Sequence, residues 1–353
     1  MPDNLYVHFP FCRTKCSYCA LYSRAGVSQS DRDAYVRRLA AEIGAKCPTS
    51  CASLKTVYFG GGSPALCDLS VLAPVLRPLC GEGLEFTVEL HPLDVTERKL
   101  QELKDLGVNR ISMGVQSLDD ATLADMGRGY TIDEAARAFA RVKRFFDNAG
   151  IDLIVGYPGD EVKVVGVGVG AGVGERWNLQ RLGSWGLRHC SVYSLQNERG
   201  LKNVPDDDIV LDRLRHIAIC LREMGLERYE ISNYAEPGYE CRHNFAVWRG
   251  EDYLGLGEGA CGRIGLRRTS NLRSRISETT VSPEENLKER TIFRLRTREG
   301  LDVSSFSSLS SYPSIVSSLD LNVKTGLLTK SGTVYRLTER GMEVCDSILA
   351  DLV

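Results

Sequence analysis

Short apolar runs rich in β-branched and aromatic residues recur along the first two hundred residues. They are "LYVHF" (5–9), "TVYFG" (56–60), "EFTVEL" (85–90), "RISMGV" (110–115), "DLIVG" (152–156) and "CSVYSL" (190–195). Amphipathic stretches with helix signals lie between them. Residues 31–45 follow a Ser-Asp start, 96–106 run from Thr96 through Glu97 to Gly107, and 131–149 run from Thr131 to Gly150. Each carries a capping residue at its start or a glycine just past its end. Strand and helix alternating at this spacing predict an α/β fold with a parallel sheet, open or curled towards a barrel. Such sheets bind ligands at the carboxyl ends of their strands. There the chain places three cysteines after the first strand, Gly60 to Ser63 after the second, Glu89 at the end of the third and Gln116 after the fourth. Asp152 begins the fifth strand and Tyr193 lies in the sixth.

The texture changes near residue 285. "ENLKERTIFRLRTREGLDVSSF" and "GLLTKSGTVYRLTERGMEVCDSILADL" read as helices around a hairpin at "KSGTVYRL", a winged-helix-like α+β arrangement. The expected division is a core over 1–265 and a small covering domain over 266–353. Two segments break the pattern. "VVGVGVGAGVG" (164–174) alternates glycine strictly, which misses the dinucleotide-binding spacing, and reads as a low-complexity surface insertion. The helix after it, near Trp177, is weakened by Gly183 and Gly186. The Ser-rich stretch 304–318 reads as poorly specified or as a weak helix within the C-terminal domain.

Charge narrows the function classes. A formal net charge of -2 over 353 residues, with no basic stripe, argues against nucleic acid as a partner. No apolar run reaches membrane-spanning length, so an integral membrane protein is not expected. The start at "LYVHF" shows no charged-then-apolar leader, and the expected location is the cytoplasm. Twelve cysteines in such a chain point to metal or catalytic chemistry where they cluster, and elsewhere to small buried hydrophobes. Only Cys12, Cys16 and Cys19 cluster tightly; Cys47 and Cys51 form a pair without two further ligands nearby. Three thiolates fall short of a closed zinc site, which takes four ligands. They suit a [4Fe–4S] cluster with one iron left open.

A set of motifs then carries a resemblance. "LYVHFPFCRTKCSYC", "YFGGGSPALC", "LGVNRISMGVQS", "MGRGY", "DLIVGYPG", "YEISNYAEPGYECRHN" and "DYLGLGEGA" follow one another over roughly residues 4–265. Together they resemble the radical S-adenosylmethionine (SAM) proteins of the oxygen-independent coproporphyrinogen III oxidase group and its HemW-type haem chaperone branch. The resemblance implies a partial (β/α)6 barrel. It implies a cluster on Cys12, Cys16 and Cys19 whose open iron chelates SAM, so that one electron can release a 5′-deoxyadenosyl radical. It assigns Gly61, Gly62 and Ser63 to the SAM methionyl group, and Glu89, Gln116, Arg128 and Asp152 to the polar groups of SAM. Tyr6 and Tyr18 would pack beside cluster and adenosine.

Two features separate the branches. The oxidases carry a long N-terminal extension and a fourth cysteine two residues after the third; here the cluster begins at residue 12 and position 21 is Leu21. The chaperone branch carries His-Asn-x-x-Tyr-Trp, and this chain reads "HNFAVW", with Val247 in place of Tyr. His243 is therefore the candidate axial haem ligand, with Cys241 a minor alternative. The resemblance implies haem or a porphyrin as ligand, a haem-accepting respiratory enzyme as recipient, and an electron donor such as flavodoxin or ferredoxin. The alternative function is SAM-dependent decarboxylation of coproporphyrinogen III.

Overall fold

The computed structural model describes residues 2–47, 54–160, 179–272, 275–307 and 310–350. Cys51, the 164–174 stretch and Trp177 lie outside the described residues. Six parallel strands run side by side in chain order: β1 (Asn4–Phe9), β2 (Leu54–Gly61), β3 (Cys80–Leu90), β4 (Arg110–Gln116), β5 (Asn148–Val155) and β6 (His189–Ser194). Helices α1 (Gln29–Lys46), α2 (Glu97–Leu106), α3 (Ile132–Phe145) and α4 (Asp207–Glu223) fill the connections. The first helix starts two residues earlier than expected, because Ser28 rather than Ser30 accepts the Asp31 N–H and caps it. Thr96 and Thr131 cap α2 and α3 as the sequence indicates, and Glu134 completes a capping box. α3 ends at Phe145, and its expected last residues open β5 instead.

The strands alternate their two faces. In β4 the apolar Ile111, Met113 and Val115 are fully buried within the apolar core, while Arg110, Ser112, Gly114 and Gln116 occupy the other set. The sheet curls so that this second set lines a lumen. Tyr6 of β1 and Tyr193 of β6 line one cavity, although five inter-strand spacings, about 24 Å, would separate them in a flat sheet. The lumen is polar because its positions carry Thr56, Tyr58, Glu85, Glu89, Ser112, Asp152, His189 and Ser191.

Beyond β6 the chain adds an antiparallel edge, β7 (Asn233–Ala235). The site helix α5 (Arg242–Trp248) and β8 (Tyr253–Leu256), which pairs parallel with β1, follow. Antiparallel strands β9 (Cys261–Ile264), β10 (Arg267–Leu272) and β11 (Arg275–Thr280) extend this side, so residue 265 falls in a turn within the large sheet. A second apolar core, around Leu287, Leu295, Leu319 and Tyr335, follows. It joins α6 (Pro283–Leu295) and α7 (Tyr312–Lys324) to the sheet of β12 (Leu301–Asp302), β13 (Leu328–Ser331) and β14 (Val334–Leu337). The end of the Ser-rich stretch lies in α7, a well-formed helix whose Ile315 and Leu319 enter that core. This unit packs onto α5: Phe293 meets Trp248 edge-on at 5.8 Å, and Arg249 pairs with Glu299. Among the described residues no helix is long and apolar enough to cross a membrane.

Candidate functional site

The three clustered cysteines lie on the loop after β1, half-buried, with free thiols. The loop is pinned from several sides. Arg13 donates to Asp94 at 2.5 Å, and Ser63, on the glycine loop after β2, donates to the other oxygen of the same carboxylate. Ser17 bonds Tyr157 at 2.8 Å, which donates to Asp125 at 2.7 Å. Lys15 holds the carbonyl of Leu21 and the hydroxyl of Ser23. Burial pushes the Cys12 thiol up, against a hydrogen bond from Ser23. Among the described residues no three His, Cys, Asp or Glu side chains converge on one point as a single ion requires. A [4Fe–4S] cluster takes its cysteines on different irons, and three half-buried free thiols on a braced loop are a donor set that fits it.

Arg128 reaches this loop. Its Nη1 lies 3.4 Å from both Cys16 Sγ and the Tyr18 hydroxyl, its Nη2 donates to the Gly114 carbonyl at 2.7 Å, and its Nε donates to Tyr130 at 3.0 Å. Protein groups thus take about four of its five N–H donors. Gln116 sits at φ 74°, in the left-handed region, where the β4–β5 register shifts. Such a bulge re-aims a side chain at a strand end, and strained non-glycine conformations cluster at active sites and ligand clamps. Tyr18 meets Tyr157 edge-on at 6.4 Å.

Deeper in the lumen stand two carboxyls. Glu89 accepts from the Tyr58 hydroxyl at 2.8 Å and the Gly61 N–H at 3.0 Å. Burial, with the Asp152 charge adding to it, pushes Glu89 up to about 7. Asp152 accepts from Ser112 at 3.0 Å and is likewise raised by burial. The glycine loop is shaped by its own neighbours. A side chain at Gly61 would stand 2.6 Å from the His8 ring, and one at Gly62 would stand 2.3 Å from the Phe11 carbonyl. The glycines therefore first serve the close approach of β1 and the cysteine loop.

A cavity of about 430 Å³ opens from Glu89 along the lumen, walled by Tyr6, Tyr58, Tyr193, Trp248 and Tyr253. His243 and Val247 line it as well. The His243 ring lies 5.1 Å from Tyr58 and 6.3 Å from Tyr6. Burial, then the Arg110 charge, lowers His243 to about 3, so it is neutral. Its backbone N–H donates to Glu85 at 3.0 Å, as does that of Arg242. Cys241, the alternative ligand of the sequence, is fully buried beside Glu85, and burial pushes its thiol up to about 12. A larger cleft of about 740 Å³ lies elsewhere, beside Cys67 and Lys99 of the outer layer.

Several site residues escaped the sequence reading. His8 donates from Nε2 to the Tyr22 carbonyl at 2.9 Å, which leaves Nδ1 to accept from Tyr6 at 2.9 Å and ties lumen to cysteine loop. Glu230 is buried at the cavity edge and raised by burial. Asp94 bridges the two loops. The signal available for Tyr58 and Thr56 was period-2 alternation within "TVYFGG", which puts both on the face of Gly60.

The Radical SAM superfamily pattern matches residues 6–164, and the HemN C-terminal domain pattern matches residues 281–344. The chain is 30% identical to the Bacillus subtilis protein named "Heme chaperone HemW", over 99% of this chain and 100% of the relative. It is 31% identical to the Lactococcus lactis protein of the same name, over 87% of this chain and 85% of the relative. A mouse protein, "Radical S-adenosyl methionine domain-containing protein 1, mitochondrial", is 32% identical over 84% of this chain and 68% of its own length. Among solved structures, the Escherichia coli coproporphyrinogen III oxidase HemN superposes with a TM-score of 0.81 at 21% identity, over 99% of this chain and 89% of that one. That likeness speaks for the fold.

Proposed function

Because the chain belongs to the HemW family of radical SAM proteins, we propose that it is a haem chaperone: it binds haem in the His243 cavity and passes it to a haem-requiring respiratory enzyme. Cys12, Cys16 and Cys19 hold the cluster, and a cluster with three protein thiolates supplies an iron open to a further ligand. Glu89 and Asp152 set two half-buried carboxyls where a cationic ligand such as SAM relieves their cost of ionisation. Gln116 offers amide donor and acceptor at the strand end, and the loop of Gly61, Gly62 and Ser63, whose N–H groups go to Glu89, Phe9 and Phe11, would meet the methionyl group through its carbonyl oxygens. Arg128 braces Cys16 and Tyr18 and keeps about one N–H for a carboxylate. Tyr6 packs beside the carboxyls. The two proposed units are a core carrying these groups and a C-terminal unit that covers α5.

The single observation that carries the haem reading is His243 itself. It is a neutral buried imidazole lining an aromatic-walled cavity large enough for a sizeable ligand. The oxidase reading is weaker because position 21, where the oxidases have a fourth cysteine, is an exposed leucine, Leu21. The test is anaerobic. The reconstituted protein is given SAM, a reductant and coproporphyrinogen III, and separately titrated with hemin. Stoichiometric hemin binding that H243A weakens, without loss of carboxyl groups from the porphyrinogen, is the expected result. Catalytic loss of two carboxyl groups would replace this reading with the oxidase.

A further inference from the structure

The hydrogen bonds beneath His243 fix which of its nitrogens is free. Asn4 Nδ2 lies 3.1 Å from the Asp252 carbonyl, which can only accept, so the Asn4 amide must present its oxygen on the other side. That oxygen lies 2.8 Å from Thr56 Oγ1 and takes the single hydroxyl proton. Thr56 Oγ1 also lies 2.8 Å from His243 Nδ1. With its proton committed to Asn4, the hydroxyl can only accept there, so the imidazole proton sits on Nδ1. The opposite tautomer would leave two lone pairs facing each other at that distance. Nε2 is then the bare nitrogen. No described residue hydrogen-bonds it, and it is not among the sealed polar atoms of the interior. His243 lines the cavity, so the unprotonated nitrogen is the one open to a ligand.

We infer that Thr56 and Asn4 are positioning residues that hold His243 in the single tautomer able to ligate haem iron through Nε2. The inference rests on the haem reading above. All members of the relay are fixed in the barrel wall: Asn4 on β1, Thr56 beside it on β2, and Asp252 just ahead of β8. The ligand is thereby set before any haem arrives, and the ring orientation is held by the same bonds. Histidine ligands to metals commonly donate their second ring N–H to such a partner, and its loss typically costs about 10- to 100-fold in metal affinity.

The test uses the full chain labelled with [15N]histidine, whose five histidines are assigned with H243A. Wild type, T56V and T56S are compared by the nitrogen shifts of His243 and by hemin titration, with the axial ligand read from optical and electron paramagnetic resonance spectra. The expected result is an Nδ1-protonated ring in wild type and T56S. In T56V the proton moves to Nε2, and hemin affinity falls about 10- to 100-fold with loss of the histidine-ligated spectrum. T56S, which keeps the hydroxyl, restores both. A wild-type ring protonated on Nε2, a T56V protein unchanged in tautomer and affinity, or T56S as weak as T56V would each overturn the inference. Hemin bound equally by wild type and H243A would sink the haem-ligand reading and the purpose of the relay. The nitrogen shifts separate that failure from an error in the hydrogen-bond assignment.

Discussion

Glu89 combines an acidic side chain with a site that resists its ionisation, and replacing it with glutamine has a calculable effect. Its carboxyl is held at about 7 against an ordinary value of 4.5. A raised carboxyl costs nothing below its unfolded value and destabilises the fold increasingly as pH rises, until it ionises in the folded state as well. At about 1.4 kcal/mol per tenfold change in proton activity, the raised carboxyl costs the unliganded fold about 2 kcal/mol at pH 6, where it keeps its proton, and about 3 kcal/mol at pH 8, where it is mostly ionised. Four histidines act in the opposite sense. His243 and His91 are lowered to about 3, and His8 and His189 are also lowered, so their stability is complete above 6.5 and is lost as pH falls. They are common to both proteins and cancel in a comparison. E89Q should therefore be more stable than wild type in urea melts of the unliganded chain, by a margin that grows about 1 kcal/mol from pH 6 to pH 8. Infrared difference spectra should show a protonated carboxyl in wild type near pH 6 that E89Q lacks. A stability margin flat across this range, or no protonated carboxyl, would refute the placement of Glu89 in a low-dielectric lumen.

Three further outcomes follow from the same geometry. G61A should lose about 2 kcal/mol or more in thermal melts, because Gly61 sits at φ 108° and its added carbon would stand 2.6 Å from the His8 ring. D94N should weaken the join between cysteine loop and glycine loop by removing the charge shared by Arg13 and Ser63, and reconstitution should yield less iron and sulfide per chain. SAM and hemin should weaken each other's binding by one common factor in reciprocal titrations, because Glu89 and His243 line one cavity.

How much of this could be read from the chain depends on what each feature needs. The strand–helix alternation and the caps at Thr96 and Thr131 are local, set by neighbours within four residues, and the structure has them where the sequence puts them. The curl of the sheet is not local, yet it follows once six parallel strands take chain order. The beginning of α1 and the end of α3 were misplaced because several residues there could cap or extend the helix, and packing decides among them. Gly61 and Gly62 were read for a ligand, whereas their immediate constraint is the His8 ring and the Phe11 carbonyl, contacts made across the β1–β2 seam. Arg128 was read for a carboxylate and is mostly occupied by Tyr130, Gly114, Tyr18 and Cys16.

The hardest feature to read was the state of His243, since a histidine in a motif says nothing about where its proton lies. That proton is decided by a hydroxyl 187 residues away, whose own proton is decided by an amide 52 residues further, held by a carbonyl 248 residues from that amide. Each link is an ordinary side chain with no motif of its own. They act together only because β1, β2 and β8 lie side by side with Asn4, Thr56 and Tyr253 in register. The same register places the aromatic rings of Tyr6 and Tyr58 over that polar floor, one pair of residues further along both strands. A barrel wall that alternates its faces thus supplies both halves of the site: fixed donors and acceptors below the imidazole, and an aromatic wall above it. Replacing Thr56 changes only the first half, which is why its variants can separate the ligand's protonation from the shape of the cavity.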